Sequence, residues 1–286
     1  MVTKEQFISR LKAKSLPSLP LTVAALGEAV QDERCTLDRI LGILSKDPSL
    51  SATLLRLANS ALYAGGATVM DLRAAVQRLG FDAVANLGTG AAVIKTLRGG
   101  THLDATRLWQ HSVAVGLTAK GVCVLAKRHG QAETAFLTGL LHDIGKVALD
   151  TCFPEAYTEV LQKVQEGAFF LDAEREVLGL DHAEAGALLA AEWSFPQTII
   201  EVIRDHHEPP ATDFLPNLIH LADVLVRTRI PMGPADEHLL VSLESMPAFQ
   251  AVLAGALHKE LDVERLTFSI DDEVDHALAF VELAFQ

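Results

Sequence analysis

The residues best suited to chemistry lie in the segment 139–146, Gly-Leu-Leu-His-Asp-Ile-Gly-Lys, where an apolar run leads into a histidine and an aspartate. This stretch places His142 beside Asp143, and imidazole together with carboxylate suits Zn, Fe or Mn. On a helix, neighbouring side chains point about 100° apart, so the pair would approach one ion from two sides of a shared edge. Lys146 follows His142 by four residues and can meet an anion above that edge. The alternative interpretation is a helix end with a solvated aspartate and a capping lysine.

Further candidate metal ligands stand in four other segments, upstream and downstream of this motif. His111 lies in Leu-Trp-Gln-His-Ser, and His182 lies in Asp-His-Ala-Glu-Ala-Gly. His206 and His207 are adjacent in Arg-Asp-His-His-Glu-Pro, and Asp223 lies in His-Leu-Ala-Asp-Val-Leu. The paired histidines could instead mark a helix C-terminus, where the helix dipole favours positive charge.

The order of these residues, together with motifs upstream of them, resembles a known family. The series His, His-Asp, His, His-His, Asp is similar to that of the HD superfamily of metal-dependent phosphohydrolases. Leu19-Pro20, the stretch Asp-Pro-Ser-Leu-Ser from Asp47, and Ala-Val-Gln-Arg-Leu-Gly from Ala75 resemble the HDOD family, the HD-related output domains of bacterial signalling proteins. The resemblance covers residues 16–229, which is most of the chain.

The resemblance implies a metal site formed by helices that converge. The first metal position would be His111, His142, Asp143 and Asp223, and the second would be His182, His206 and His207 with Asp143 bridging. The implied cofactor is one or two divalent ions, Fe, Mn or Zn, which would lie about 3.5–4 Å apart if both were bound. Asp143 and Lys146 are the candidate catalytic residues, and Lys146 would balance the charge of a phosphate.

Hypotheses from different functional classes follow from this resemblance. HDOD proteins have no generally established activity. The HD-GYP phosphodiesterases follow their paired histidines with a Gly-Tyr-Pro loop, whereas here Glu208 is followed by Pro-Pro-Ala-Thr-Asp-Phe. We therefore predict a bacterial signal-transduction module that recognises a signalling protein or a small phosphorylated ligand. The alternative is a metal-dependent phosphohydrolase that acts on a nucleotide or a cyclic dinucleotide. A third hypothesis is a metal-free scaffold, in which the candidate ligands do not converge.

Composition restricts the partners and the compartment. The chain carries 24 basic and 37 acidic residues, a net charge of −13, which should repel nucleic acid. Its hydrophobic content of 49% excludes a disordered chain. Cys35, Cys123 and Cys152 form no CxxC pair and are typical of buried, reduced thiols, so we predict a cytoplasmic protein. We expect no signal peptide and no membrane span.

Hydrophobic spacing predicts an all-α fold, because almost no stretch alternates with period two. The break at residues 98–100, Arg-Gly-Gly, predicts a boundary between a short-helix bundle at 1–98 and an HD-like helical domain at 99–286, which carries all 11 histidines. The resemblance implies that the bundle packs on the HD-like domain. The central motif is predicted to lie on one helix from about Ala132 toward Leu149. Surface or helix-end positions are predicted for the other histidines, His102, His129, His220, His238, His258 and His276.

Overall fold

The structure is a computed structural model, and it describes residues 1–13, 19–60, 62–63, 67–97, 100–238, 242–255 and 263–285. Within these ranges every regular element is a helix and no β-strand occurs, so the all-α prediction is confirmed. The α-helices in chain order are α1 (Lys4–Ala13), α2 (Leu21–Val30), α3 (Leu37–Leu44), α4 (Pro48–Ala58), α5 (Leu72–Leu79), α6 (Phe81–Thr96), α7 (Ala105–Leu125), α8 (Ala132–Leu141), α9 (Ile144–Cys152), α10 (Pro154–Gln165), α11 (Phe170–Val177), α12 (His182–Glu192), α13 (Gln197–Asp205), α14 (Phe214–Arg227), α15 (Pro247–Gly255) and α16 (Val263–Phe285). Short 3₁₀ turns span His129–Gln131, Pro234–His238 and Leu243–Ser245.

The chain divides into two compact units. The larger unit contains Met1–Leu16 and Gly99–Val274, and the smaller unit contains Pro17–Arg98 and Asp275–Gln286. A boundary near residue 98 was expected, but each terminal segment belongs to the unit built mainly from the other half of the chain. The functional domains at 1–98 and 99–286 stay a prediction, and Arg98 and Gly99 themselves lie outside the described residues.

Two aspartates determine where ligand-bearing helices begin. Asp104 precedes α7, and its side chain accepts the backbone N–H of the residue three positions on. Asp181 precedes α12 and accepts a backbone N–H in the same way. Each carboxylate satisfies an N–H that the first turn leaves unpaired and also interacts favourably with the helix dipole. The Asp181 cap makes His182 the first residue of α12.

A close approach between α7 and α8 forms the centre of the larger unit. A Cβ atom on Gly139 would lie 2.6 Å from the Cα of Gly116, and one on Gly116 would lie 2.5 Å from the carbonyl oxygen of Phe136. Real Cβ atoms essentially never come within 3.0 Å of such neighbours, so this packing requires glycine at both positions. The contact brings the ring of His111 on α7 to within 5.5 Å of the ring of His142, which follows α8.

The other ligand-bearing helices pack around this pair. Helix α14 packs on α7 and α8, α13 packs on α8 and α14, and α12 packs on α9 and α13. Apolar side chains with no exposed surface, such as Val113, Leu140, Ile203 and Leu218, lie in these helices. Their burial stabilises the helix contacts and holds the ligand-bearing positions at fixed distances from one another.

Two further sequence predictions concern the membrane and the cysteines. In the described part of the chain, no helix combines the length and the apolar character that crossing a bilayer requires. Cys123 and Cys152 are buried, as predicted, whereas Cys35 is only half-buried. Burial raises the pKa of the Cys123 thiol to about 12, so this side chain stays protonated and chemically inert at neutral pH.

Candidate metal centre

The larger unit brings all the predicted ligand side chains to one pocket. They are His111 from α7, His142 and Asp143 from the junction of α8 and α9, His182 from the start of α12, His206 and His207 from the end of α13, and Asp223 from α14. All are buried except His207, which is half-buried. The third hypothesis, in which the ligands never meet, required them to lie apart, and the pocket contradicts that premise.

The His142–Asp143 pair lies at a break between two helices. Helix α8 ends immediately before the pair and α9 begins immediately after it, so the predicted single helix over residues 132–149 is wrong. Helix α9 packs so closely on α12 that a Cβ atom on Gly145 would lie 1.9 Å from the carbonyl oxygen of His182. Local hydrophobic spacing carries no information about such a long-range backbone contact, and it therefore predicts a straight helix.

The first group of ligand atoms surrounds the Nε2 atoms of two histidines. His111 Nε2 lies 3.0 Å from Asp223 Oδ1 and 3.8 Å from Asp143 Oδ2. His142 Nε2 lies 3.4 Å from Asp143 Oδ2 and 3.8 Å from Asp223 Oδ1. The residues of the first implied metal position are therefore neighbours, although they are separated by up to 112 positions in the chain.

The second group of ligand atoms lies on the other side of Asp143. His182 Nε2 is 2.7 Å from His207 Nε2 and 3.3 Å from Asp143 Oδ1. The His206 ring centroid is 4.0 Å from that of His207, and the candidate ligand atoms of these three histidines lie within 4.8 Å of one another. Asp143 thus presents Oδ2 to the first group and Oδ1 to the second, which is the bridging arrangement that the resemblance implies.

Hydrogen bonds fix the orientation of three of these imidazoles. The Nδ1 of His142 lies 2.6 Å from the carbonyl oxygen of Gly139, and the Nδ1 of His206 lies 2.7 Å from that of Ile203. A carbonyl only accepts, so each Nδ1 carries the proton and, in the neutral ring, each Nε2 carries a lone pair. Both of these Nε2 atoms are buried and make no hydrogen bond within the described residues. An inward-facing, unbonded lone pair is the donor that a transition metal requires, so the residues present fit a metal ion.

Glu174 orients the third imidazole, and sequence reasoning missed it. This fully buried carboxylate accepts hydrogen bonds from the Nδ1 of His182 at 2.5 Å, from its backbone N–H at 2.8 Å and from the Tyr157 hydroxyl at 2.9 Å. A carboxylate that holds a ligand histidine sets its tautomer and raises its basicity. One sequence signal was available, because Glu174 lies on the helix stripe of Phe170 and Ala173, where an apolar residue is expected.

His220 has a structural role that corrects its predicted surface position. It lies half-buried within α14, and its Nδ1 donates to the carbonyl oxygen of His206 at 2.7 Å. This bond ties the turn that carries the paired histidines to the helix that carries Asp223. His276 is also half-buried within a helix, α16, whereas His102 and His129 are exposed as predicted. The side chain of His238 and all of His258 lie outside the described residues.

The carboxylates of the pocket remain charged although they are buried. Burial opposes the charge on Asp143, but the nearby His142 and Lys146 outweigh it and hold the pKa of Asp143 well below its usual range. Burial also opposes the charge on Asp223, and the adjacent histidines with Arg227 hold the pKa of Asp223 well below its usual range. Two fixed negative charges therefore favour a cation at the centre of the pocket.

The pKa shifts of the histidines differ from one ring to the next, because burial and the carboxylates act in opposite directions. Burial disfavours a charge on His142, yet Asp143 and Asp223 outweigh burial and raise the pKa of His142. Burial lowers the pKa values of His206 and His207 well below the usual range, and like charge on neighbouring imidazoles adds to that effect. These two rings are therefore neutral at pH 7, which is the form that binds a metal.

A cavity of about 220 Å³ opens beside the ligands, and we call it the side cavity. Its polar lining consists of Lys146, Asp172, His182, His207, Asp223, Arg227 and Asp236. Lys146 Nζ lies 2.7 Å from Asp143 Oδ2, which places it beside the aspartate of the motif. The Nη1 of Arg227 lies 3.7 Å from Asp223 Oδ2, and its Nε donates to Asp236 at 2.9 Å. The side cavity therefore places two cations, each paired with a carboxylate, beside the ligand cluster.

Arg227 is a second residue that sequence reasoning missed. It lies in the last turn of α14, where any basic side chain stabilises a helix, so its position alone indicates no function. Its partner Asp236 lies nine residues on, beyond the reach of a helical pair, so local spacing does not indicate this ion pair. Only the folded chain shows that Arg227 faces the ligand cluster.

Comparison with known proteins agrees with this architecture. The family model for the HDOD domain matches residues 16–209. An HDOD domain protein of unknown function from Geobacter sulfurreducens is 24% identical, with a TM-score of 0.83 and 99% of each chain covered. A candidate phosphohydrolase from Shewanella amazonensis SB2B is 26% identical, with a TM-score of 0.74 and 97% of each chain covered.

Two longer relatives also align with the chain. A candidate signal transduction protein from Marinobacter aquaeolei VT8 is 24% identical with a TM-score of 0.74, and the match covers 96% of this chain and 61% of that one. An uncharacterized protein from Treponema pallidum (strain Nichols) is 29% identical over 204 residues, which is 68% of this chain. The chain spans only 38% of the length of that curated relative.

Proposed function

The chain belongs to the HDOD family, and from that premise we propose that it is a cytoplasmic regulatory module whose metal centre recognises a small phosphorylated ligand. The observation that carries the proposal is the pair of buried Nε2 atoms on His142 and His206, which lie in the ligand cluster and make no hydrogen bond in the described residues. Histidine and carboxylate donors suit Fe, Mn or Zn, and the two groups of ligands can accommodate one or two divalent ions.

The side cavity supports a phosphorylated ligand. A bound ion would supply Lewis-acid polarisation of a phosphoryl oxygen. The residues of the chain would supply the remaining charge, because Lys146 and Arg227 both line the side cavity. Arginine can bind two phosphate oxygens at once, and lysine contributes a compact positive charge. His182, His207 and Asp223 also line the cavity, so a phosphoryl group there would lie next to the candidate ligands.

Hydrolysis of the ligand is the second candidate function. Asp143 favours it, because its two oxygens face separate ligand groups and could hold two ions on one substrate phosphate. The chain would then be a metal-dependent phosphohydrolase, and its substrate would be a nucleotide or a cyclic dinucleotide. Recognition of a signalling protein remains compatible with either activity, since the ligand would act as the input.

Metal analysis combined with binding and turnover measurements tests these functions. The purified protein is analysed for bound metal, and the affinity for inorganic phosphate is measured with and without Mn or reduced Fe. Hydrolysis is assayed with nucleotides and cyclic dinucleotides under the same conditions. Variants His142→Ala and Asp143→Ala are compared with His129→Ala, which removes an exposed imidazole outside the pocket.

Each outcome assigns a different function. Metal-dependent phosphate binding without turnover, lost in the first two variants, supports recognition. Turnover that the same two variants abolish supports the phosphohydrolase. A protein that binds no metal, and whose variants at His142 and Asp143 bind phosphate as the wild type does, would overturn the proposal.

A further inference from the structure

We propose, on the basis of the function proposed above, that the side cavity selects small phosphomonoesters whose organic part is an apolar group with a single ring. The two parts of this ligand correspond to two chemically distinct parts of the cavity lining, and its size corresponds to the cavity volume.

The charged part of the cavity fits a dianionic phosphomonoester. Lys146 and Arg227 both line the cavity, and each also lies over an aromatic ring. Lys146 Nζ is 4.8 Å from the Phe170 ring centroid, and the Cζ of Arg227 is 5.4 Å from that of Phe169. These contacts hold the cations at the boundary between the charged and the apolar parts of the lining. A phosphoryl group bound by both cations would therefore have its ester oxygen close to the two rings.

A separate part of the lining is apolar and includes an exposed aromatic side chain. Val164, Phe169, Phe170, Leu171 and Met232 line this part. Phe169 exposes 42% of its surface, although most large apolar side chains of the protein are buried. Binding pockets combine apolar and aromatic walls with a few placed polar groups, and here the walls adjoin the two cations. An apolar ring on the ligand would cover Phe169 and remove both surfaces from water.

The volume of the side cavity favours a ligand with one ring. Pockets that enclose drug-sized molecules usually measure about 300–1,000 Å³. The side cavity measures about 220 Å³, which is below that range. A phosphoryl group with one ring is of a suitable size, whereas a cyclic dinucleotide has two bases and two phosphates and would remain largely outside. The structure therefore favours the smaller class of phosphorylated ligand.

Binding of non-hydrolysable phosphonates to the intact, metal-loaded chain tests this selection. Phenylphosphonate, methylphosphonate, inorganic phosphate and cyclic di-GMP are titrated separately by calorimetry. We expect phenylphosphonate to bind about tenfold more tightly than methylphosphonate, because one ring face is buried against apolar walls. Cyclic di-GMP should bind more weakly than phenylphosphonate.

Two phenylalanine variants separate the cavity wall from general effects of removing an aromatic ring. Phe169→Ala should abolish the preference for phenylphosphonate over methylphosphonate, which is a ratio of two affinities measured on the same variant. Phe195→Ala is the matched control, because Phe195 is outside the cavity lining and packs near Trp193, with ring centroids 6.3 Å apart. It should retain the preference.

The outcomes distinguish the ligand class from the function on which it rests. Equal affinities for phenyl- and methylphosphonate, in a protein that binds inorganic phosphate, would overturn the ligand class and leave the proposed function intact. Tighter binding of cyclic di-GMP than of phenylphosphonate would have the same consequence. Failure of the metal-loaded protein to bind any of these anions would overturn both.

Discussion

Substitution of Gly145 by alanine should separate the two halves of the candidate metal centre. Gly145 lies in the first turn of α9, just after Asp143, and faces the start of α12. An alanine Cβ at this position would lie 1.9 Å from the carbonyl oxygen of His182 and 2.6 Å from the backbone nitrogen of Gly186. Both neighbours are backbone atoms, so no side-chain rotation can relieve the overlap. The helices themselves must move apart.

The size of the movement follows from the contact distances. Real Cβ atoms essentially never approach such atoms closer than 3.0 Å, and the contact would be 1.9 Å, so α9 and α12 must separate by about 1 Å or more. Asp143 Oδ1 and His182 Nε2 lie 3.3 Å apart. Asp143 immediately precedes α9, and His182 is the first residue of α12, so the separation of the helices changes this distance. Overpacking of this kind costs about 1–3 kcal/mol of the free energy of unfolding. We expect metal affinity to fall about 10–100-fold, as it does when the support of a ligand is removed.

Metal titration and thermal unfolding of Gly145→Ala and of a control variant check this expectation. Gly121→Ala is the control, because Gly121 lies on α7, the helix of His111, and a Cβ atom there would meet nothing within 4 Å. Alanine at that helical position should raise stability by about 0.5–1 kcal/mol or leave it unchanged, with unaltered metal affinity. If Gly145→Ala bound metal and unfolded as the wild type does, the close contact of α9 and α12 could not be what holds the two ligand groups together.

Three further changes should have distinct effects. Glu174→Gln should weaken metal binding by about tenfold with little change of fold, because the amide is a poorer partner for an imidazole than a carboxylate is; a metal titration measures this. In metal-free protein, the free energy of unfolding should fall as the pH drops below about 6.5. Burial lowers the pKa values of His206 and His207 in the native state, so below this pH the unfolded state binds protons that these two histidines do not take up in the native state. Denaturant unfolding at several pH values measures this. Gly100→Ala should destabilise the protein by about 1–3 kcal/mol without changing metal affinity. The new Cβ would lie 1.9 Å from Asp150 Oδ2, the oxygen that accepts the backbone N–H groups of His102 and Leu103. Thermal unfolding measures this.

A second variant sharpens each of these predictions. Glu176→Gln changes an exposed carboxylate on the same helix as Glu174 and should not affect metal binding. His207→Gln should reduce the loss of stability between about pH 6.5 and the lowered pKa, and an unchanged pH dependence would contradict the assignment. Gly130→Ala places a methyl group where nothing lies within 4 Å, and it should be neutral. A Gly100→Ala protein as stable as the wild type would show that the Asp150 contact tolerates the methyl group.

The local pattern of the chain was sufficient for the fold class, and the resemblance to the HD superfamily supplied the candidate ligands and their order. Hydrophobic spacing and the absence of period-two alternation predict helices correctly, because a helix forms from contacts between residues three and four positions apart. The candidate ligand series around His142 and Asp143 was also visible in the sequence. The capacity of imidazole and carboxylate groups to bind a metal is a property of the side chains themselves, so the identity and order of such residues can be read from the sequence.

Long-range packing decided the features that local patterns do not contain. The break between α8 and α9 occurs where Gly145 packs against α12, and Glu174 binds the Nδ1 of His182 and orients its ring. Arg227 becomes part of the candidate site only because α14 brings it beside the side cavity. These relations join residues on different helices, and hydrophobic periodicity records only which face of a helix is buried, not which neighbour covers it. Helix packing therefore converts a series of separate ligands into one pocket.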